Sequence, residues 1–154
     1  MAGLEKILLQ HPFFRGLETR LGALVAGCCR NVLFEAGGYL LREGAAAQEF
    51  YLVRQGSVAL EVSAPGRPAI VFLTLGKDEI VGASWLAPPY RWTCDARAVN
   101  PVHALGIDAQ CLRNKCEADH DLGYELLKRC QSMLIRRLHA TRLQLLDVYG
   151  GASP

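Results

Sequence analysis

The 154-residue sequence contains no apolar run long enough to span a bilayer, which excludes a membrane-spanning helix. Its first ten residues hold Glu5 and Lys6 inside an amphipathic stretch, so the basic-then-apolar layout of a secretion signal is missing. An excess of one charge is missing too. Seventeen Lys and Arg against fifteen Asp and Glu leave +2, and net charge demands neither a nucleic-acid backbone nor an anionic membrane as partner. There is no internal repeat, no low-complexity tract, and no P-loop or nucleophile-elbow pattern. These absences predict a cytoplasmic chain that is not an enzyme. Residues 1–154 suffice for a single domain with one sizeable core and leave no room for a second.

Six cysteines are present, but none stands in a C-x-x-C. Cys28 and Cys29 are adjacent, Cys94 lies in a strand-like run, Cys111 and Cys116 flank a short helical stretch, and Cys130 lies in a long one. This spacing offers no tetrahedral zinc set and no clustered iron–sulfur ligands, and a reducing compartment disfavours disulfides. All six are expected as reduced thiols, with no metal bound. Of the four histidines only His103 falls in a predicted strand, while His11, His120 and His139 fall in helices or turns. The converging histidines that a metal-dependent barrel enzyme requires are therefore not assembled.

Apolar spacing predicts helix from Leu4 to His11, where Pro12 disfavours continuation, and again from Glu18 to Cys29 with Thr19 as cap. After Arg30 short β-prone runs follow: Val32–Phe34, Tyr39–Leu41, Phe50–Val53, Val58–Val62 and Ile70–Leu75. Turn signals at Gly37–Gly38, Gly44, Gln55–Gly56, Pro65–Gly66 and Gly76 separate them, a rhythm of antiparallel strands closing into a roll. Further strand is predicted at Glu79–Val81, Thr93–Val99 and Val102–Ile107. Between the first two, Gly82 to Trp92 does not alternate and reads as a loop with room for one helical turn. From Asp108 helix returns, through Cys111–Ala118 and then from Asp121 to about Val148, and the tail from Gly150 to Pro154 is expected to fray. Leu127, Leu134, Leu138, Thr141 and Leu145 form one stripe on that long helix, with Lys128, Arg129, Arg136, Arg137 and Arg142 turned mostly elsewhere. The expected fold is thus α+β: a jelly-roll-like antiparallel β-roll (31–108) between short N-terminal helices (1–30) and C-terminal helices (109–149), the last of them a dimerisation helix.

The order of elements, with Phe34, Gly37, Gly38 and Tyr39 to Gly44 followed by Glu49 to Val62, resembles the cyclic-nucleotide-binding domain family across nearly the whole chain. The resemblance implies cAMP or cGMP as ligand, held by a loop that here covers residues 82–94. In the family a glycine and the backbone after it meet the cyclic phosphate. A glutamate next to that glycine meets the ribose, and an arginine followed by a small residue pairs with the phosphate charge. Gly82 matches the glycine and Thr93 the small residue. Ala83 stands at the glutamate position and Trp92 at the arginine position, so both side-chain anchors are replaced.

Losing two such contacts weakens binding by a few kcal/mol, on the order of a hundredfold or more. Arg91 substitutes only if the Pro88–Pro89 kink shifts the register, since one residue on a strand reverses the side chain. Trp85, Tyr90 and Trp92 either plug the vacated pocket or stack on another small anionic, planar ligand, with the backbone of residues 82–84 and the Ser84 hydroxyl as donors. Arg136 to Thr141 is similar to the run in the family's dimer helix where a threonine reaches the purine, and Thr141 is the counterpart; it is equally a small residue on a coiled-coil seam. Two functions stay open, a homodimeric sensor and a ligand-free dimerising adaptor for a partner protein. DNA binding by this chain alone is not expected, because Pro154 closely follows the long helix.

Overall fold

The proline at position 12 does end the first helix: in the computed structural model, which describes residues 2–151, α1 covers Ala2–Gln10 and α2 covers Thr19–Ala26. Thr19 is not the cap expected of it. It is the first helical residue, and Glu18 stands at the cap position with no side-chain bond into the turn. The chain then forms β1 (Cys29–Phe34), β2 (Tyr39–Leu41), β3 (Glu49–Gln55), β4 (Val58–Val62), β5 (Ile70–Leu75), β6 (Ile80–Val81), β7 (Asp95–Ala98) and β8 (Val102–Asp108). Strand β1 begins three residues before the β-prone run because Cys29, Arg30 and Asn31 pair with Ile107, Gly106 and Leu105 of β8. A partner strand imposes extension on polar residues that do not ask for it.

Two four-stranded antiparallel sheets, β1-β8-β3-β6 and β2-β7-β4-β5, face one another. Phe50, Leu52, Val58, Leu75, Leu105 and Ile107 fill the space between them and under the helices, all essentially without solvent contact. The β3–β4 turn depends on Gly56, whose φ is +102° and where a Cβ would sit 2.4 Å from the Pro101 carbonyl oxygen. No other residue fits there.

Asp108 caps the next helix by accepting the Cys111 N–H at 3.0 Å, so α3 (Ala109–Ala118) starts at the end of β8. Helix α4 (His120–Gly151) follows and is about 48 Å long at 1.5 Å per residue. The expected fraying of residues 152–154 lies outside the described residues. Leu122, Leu126, Cys130 and Met133 are buried on the inner face of α4, while Leu127, Leu134, Leu138 and Leu145 stay 45–57 % exposed. Among the described residues no helix is long and apolar enough to cross a membrane, and no three His, Cys, Asp or Glu side chains gather as a metal site.

One cysteine expectation is corrected. Cys28 and Cys111 form a disulfide across 83 residues with their Cα atoms 5.9 Å apart, while Cys29, Cys94, Cys116 and Cys130 remain free thiols. The end of α2 and the start of α3 meet because β1 and β8 are paired, and Asp108 N–H donates to the Cys28 carbonyl at 2.9 Å at the same junction. A cross-link over so long a loop contributes about 2–4 kcal/mol. Urea denaturation should therefore show the oxidised protein more stable by that amount than the protein in excess dithiothreitol, with Cys28→Ser indifferent to reductant.

Candidate functional site

The loop after β6 is shaped by Gly82. Its φ is +110°, and a Cβ there would lie 2.9 Å from both the Phe50 Cβ and the Trp92 Cη2. The backbone thus turns out of the sheet while the Trp92 indole packs over the glycine. A single 3-10 turn, Ser84–Leu86, follows as the sequence allowed. The segment from Tyr90 to Trp92 then runs antiparallel to residues 44–47. Gly44 N–H donates to the Trp92 carbonyl (2.9 Å), Trp92 N–H to the Ala45 carbonyl (3.0 Å) and Ala47 N–H to the Tyr90 carbonyl (2.7 Å). Arg91 pairs with Ala46 in an isolated antiparallel bridge, and from there Arg91 and Trp92 point to opposite sides.

Trp92 takes the inside and is buried; Arg91 takes the outside. The register shift that would have brought Arg91 inward does not occur, and its guanidinium donates to the Gly44 carbonyl at 2.9 Å on the exposed side. The Ser84 hydroxyl donates to the Arg91 carbonyl at 2.9 Å, so its proton is committed within the loop and not offered to a ligand. The three aromatics separate. Trp85 is fully buried and stacked on Phe50, with ring centroids 4.5 Å apart and planes 11° from parallel, so it belongs to the core and cannot be a ligand platform. Tyr90 lies under the Arg113 guanidinium, 4.5 Å from ring centroid to Cζ. Trp92 alone faces the cleft.

That cleft has a volume of about 140 Å³. Gly82, Ala83, Ser84, Trp92 and Thr93 form its loop side, Leu41, Leu60 and Phe72 its strand side, and Arg137 and Thr141 of α4 close it. Thr141 is exposed at the mouth, its hydroxyl donating back to the Arg137 carbonyl at 2.8 Å. Burial raises the Cys94 thiol pKa, so this half-buried lining group is a neutral thiol and not a nucleophilic thiolate near pH 7.

Two arginines shape the site without having been singled out in the sequence. Arg113 of α3 donates to the Trp85 carbonyl at 2.6 Å and the Ala47 carbonyl at 3.2 Å, clamping the loop between helix and roll. Arg137 continues the buried stripe of Leu122, Leu126, Cys130 and Met133, one turn beyond it, and so turns inward and not with the solvated basic face. Its guanidinium donates to the Ile80 carbonyl. Burial pulls its pKa below the ordinary arginine value, with Glu79 acting in the opposite sense, yet arginine keeps its proton. The spacing 122, 126, 130, 133, 137 was the signal for it.

A family model of the cyclic nucleotide-binding domain matches residues 31–119, more than half of the chain. The chain belongs to that family. It is 24 % identical over 145 residues to the CRP-like cAMP-activated global transcriptional regulator of Mycobacterium tuberculosis (strain ATCC 25618 / H37Rv), covering 94 % of this chain and 63 % of that one. The chain therefore spans less than two thirds of the length of that curated relative. A candidate cyclic nucleotide-binding protein of Geobacter metallireducens GS-15 superposes with a TM-score of 0.79 at 27 % identity, over 90 % of this chain and all of the other. A cyclic nucleotide-binding domain from Methylobacillus flagellatus KT gives 0.78 at 16 % identity, over 95 % and 82 %. This cyclic nucleotide-binding domain carries the family's fold, with α4 as its long C-terminal helix.

Two substitutions test the loop. Gly82→Ala adds backbone strain and a clash with Trp92, together on the order of 2 kcal/mol, which equilibrium denaturation would register as a lower midpoint. Arg113→Met removes both carbonyl contacts, so amide hydrogen exchange should rise across residues 84–92 while the β3 and β8 amides keep their protection.

Proposed function

We propose that the chain is a regulatory, signal-sensing module of the cyclic nucleotide-binding type, acting as a cytoplasmic homodimer with altered ligand specificity. The observation that carries this reading is the seat of Trp92 against Gly82. The position where the resemblance implies a phosphate-pairing arginine holds a buried indole, the neighbouring Ala83 has no carboxylate, and Arg91 faces outward. The cleft that is left, about 140 Å³, is below the roughly 300–1,000 Å³ of a common small-molecule pocket. A whole nucleotide loses both anchors and part of its volume.

Support for the dimer comes from the outer face of α4. Leu127, Leu134, Leu138 and Leu145 are exposed in a continuous stripe, and the loop residues Ala83, Leu86 and Ala87 border the same groove. Contiguous exposed apolar surface of this kind marks an association site. Pairing of this helix between copies would place the seam directly beside the ligand loop, so that occupancy and association influence one another. The second reading is the adaptor: the narrowed cleft favours a module that has lost its ligand and keeps only the dimer face.

Isothermal titration with cAMP, cGMP and cyclic dinucleotides separates nucleotide sensing from the rest. We expect cAMP affinity at least a hundredfold weaker than in a domain with both anchors. The double change Ala83→Glu with Trp92→Arg should raise cAMP affinity, provided circular dichroism shows it folded; a folded double variant with no gain would count against the register. Sedimentation equilibrium should find a dimer that Leu134→Glu with Leu138→Glu dissociates.

A further inference from the structure

The inner stripe of α4 ends on a charge. Four apolar side chains, Leu122, Leu126, Cys130 and Met133, dock the helix, and the next residue in their series is Arg137 at the wall of the cleft. Among the described residues no carboxylate lies within ion-pair distance of its guanidinium, although eight other Lys or Arg contacts with carboxylates are formed. Its bond to the Ile80 carbonyl uses one of the five N–H donors of a guanidinium. Glu79 acts on this half-buried cation only through space, without an ion pair, and the guanidinium fork matches a planar oxyanion with two parallel bonds.

The rest of the cleft defines what that oxyanion carries. Leu41, Leu60, Phe72 and Trp92 present carbon surface opposite Arg137. An apolar cavity of about 150 Å³ accommodates one benzene ring, and this cleft measures about 140 Å³. Of the other cations near the loop, Arg91 is outside on the Gly44 carbonyl and Arg97 is paired with Glu61 at 3.1 Å, while Arg136, next to Arg137, is exposed and does not line the cleft. One cation matches one negative charge, which suits a carboxylate; a phosphate monoester brings about 1.5–2 charges at pH 7.

We propose that the cleft binds a small carboxylate with a compact apolar body about the size of one ring, with Arg137 as its counter-ion. This rests on the reading of the cleft as the ligand site and names the ligand class for it. Because Arg137 sits between Leu134 and Leu138 in the sequence of α4, the carboxylate would be held by the helix that carries the exposed seam, and not by the loop.

The test is isothermal titration of the full chain with benzoate, with benzamide as its uncharged analogue, acetate as its bodiless one, and cAMP in parallel. Benzoate should bind, with benzamide and acetate each at least tenfold weaker. Arg137→Met should weaken benzoate at least tenfold, and Arg137→Lys should recover part of the loss. Arg91→Met should leave benzoate binding unchanged. Should Arg137→Met fold poorly, Ala83→Leu fills the mouth of the cleft with Arg137 intact and should abolish benzoate binding. Benzoate binding that is indifferent to both Arg137→Met and Ala83→Leu overturns the proposal. So does a flat benzoate trace with cAMP binding, which leaves ligand sensing standing and returns the site to nucleotides. Flat traces for benzoate and for every nucleotide overturn it as well, and they leave the adaptor reading in its place.

Discussion

The contact between Gly82 and the Trp92 ring governs the site. At a φ of +110° and with no space for a Cβ, Gly82 lets β6 leave the sheet and lets the indole close over the backbone. The ring reaches that position because backbone hydrogen bonds tie residues 90–92 to residues 44–47, with Arg91 bridged to Ala46, which sets Arg91 and Trp92 on opposite sides. Once Trp92 points in, Arg91 must point out. A single constraint of strand alternation thus seats an apolar group where a charge is implied by family resemblance, and expels the one neighbouring charge that could have replaced it.

The loop is held from a second direction by Arg113, which binds the Trp85 and Ala47 carbonyls and lies over the Tyr90 ring. These contacts tie α3 to the 3-10 turn itself, to Tyr90 beyond it and to Ala47 ahead of β3. The disulfide at Cys111 stands two residues from Arg113 and ties the same helix to α2. Helix α4 completes the arrangement by burying one stripe on the roll and leaving another exposed. Arg137 at the cleft and the exposed leucines of the outer face thus belong to one helix.

Much of this was readable from the chain. Glycine-bearing turns between β-prone runs located the strands. Period-four spacing located the long helix. The two substitutions at Ala83 and Trp92 were visible as departures from a known pattern. What stayed hidden depended on partners distant in sequence. Cys28 and Cys111 meet only because β1 pairs with β8, and Cys29 to Asn31 become strand for the same reason. Trp85 and Trp92 are both aromatic residues of one loop, yet one stacks in the core on Phe50 and the other walls the cleft. Composition cannot distinguish them. The long helix has two stripes, and the leucine-rich one drew attention while the stripe that ends in Arg137 did the packing.

On the proposed reading, plug and platform, posed as alternatives for the aromatics, are compatible descriptions of one side chain at different ligand sizes. Trp92 removes space and charge from the position that would serve a nucleotide, and by the same act it supplies a flat apolar wall to anything small enough to fit beside it. Specificity by exclusion needs no added attraction to the chosen ligand: it needs the competitor to lose more. Under that reading a nucleotide forfeits two charge-assisted contacts, whereas a compact monoanion forfeits neither and meets a guanidinium that has no ion-pair partner among the described residues. On the proposed reading, the substitution that removes the phosphate's partner is also the one that selects the new ligand, with the compensating charge moved from the loop to α4.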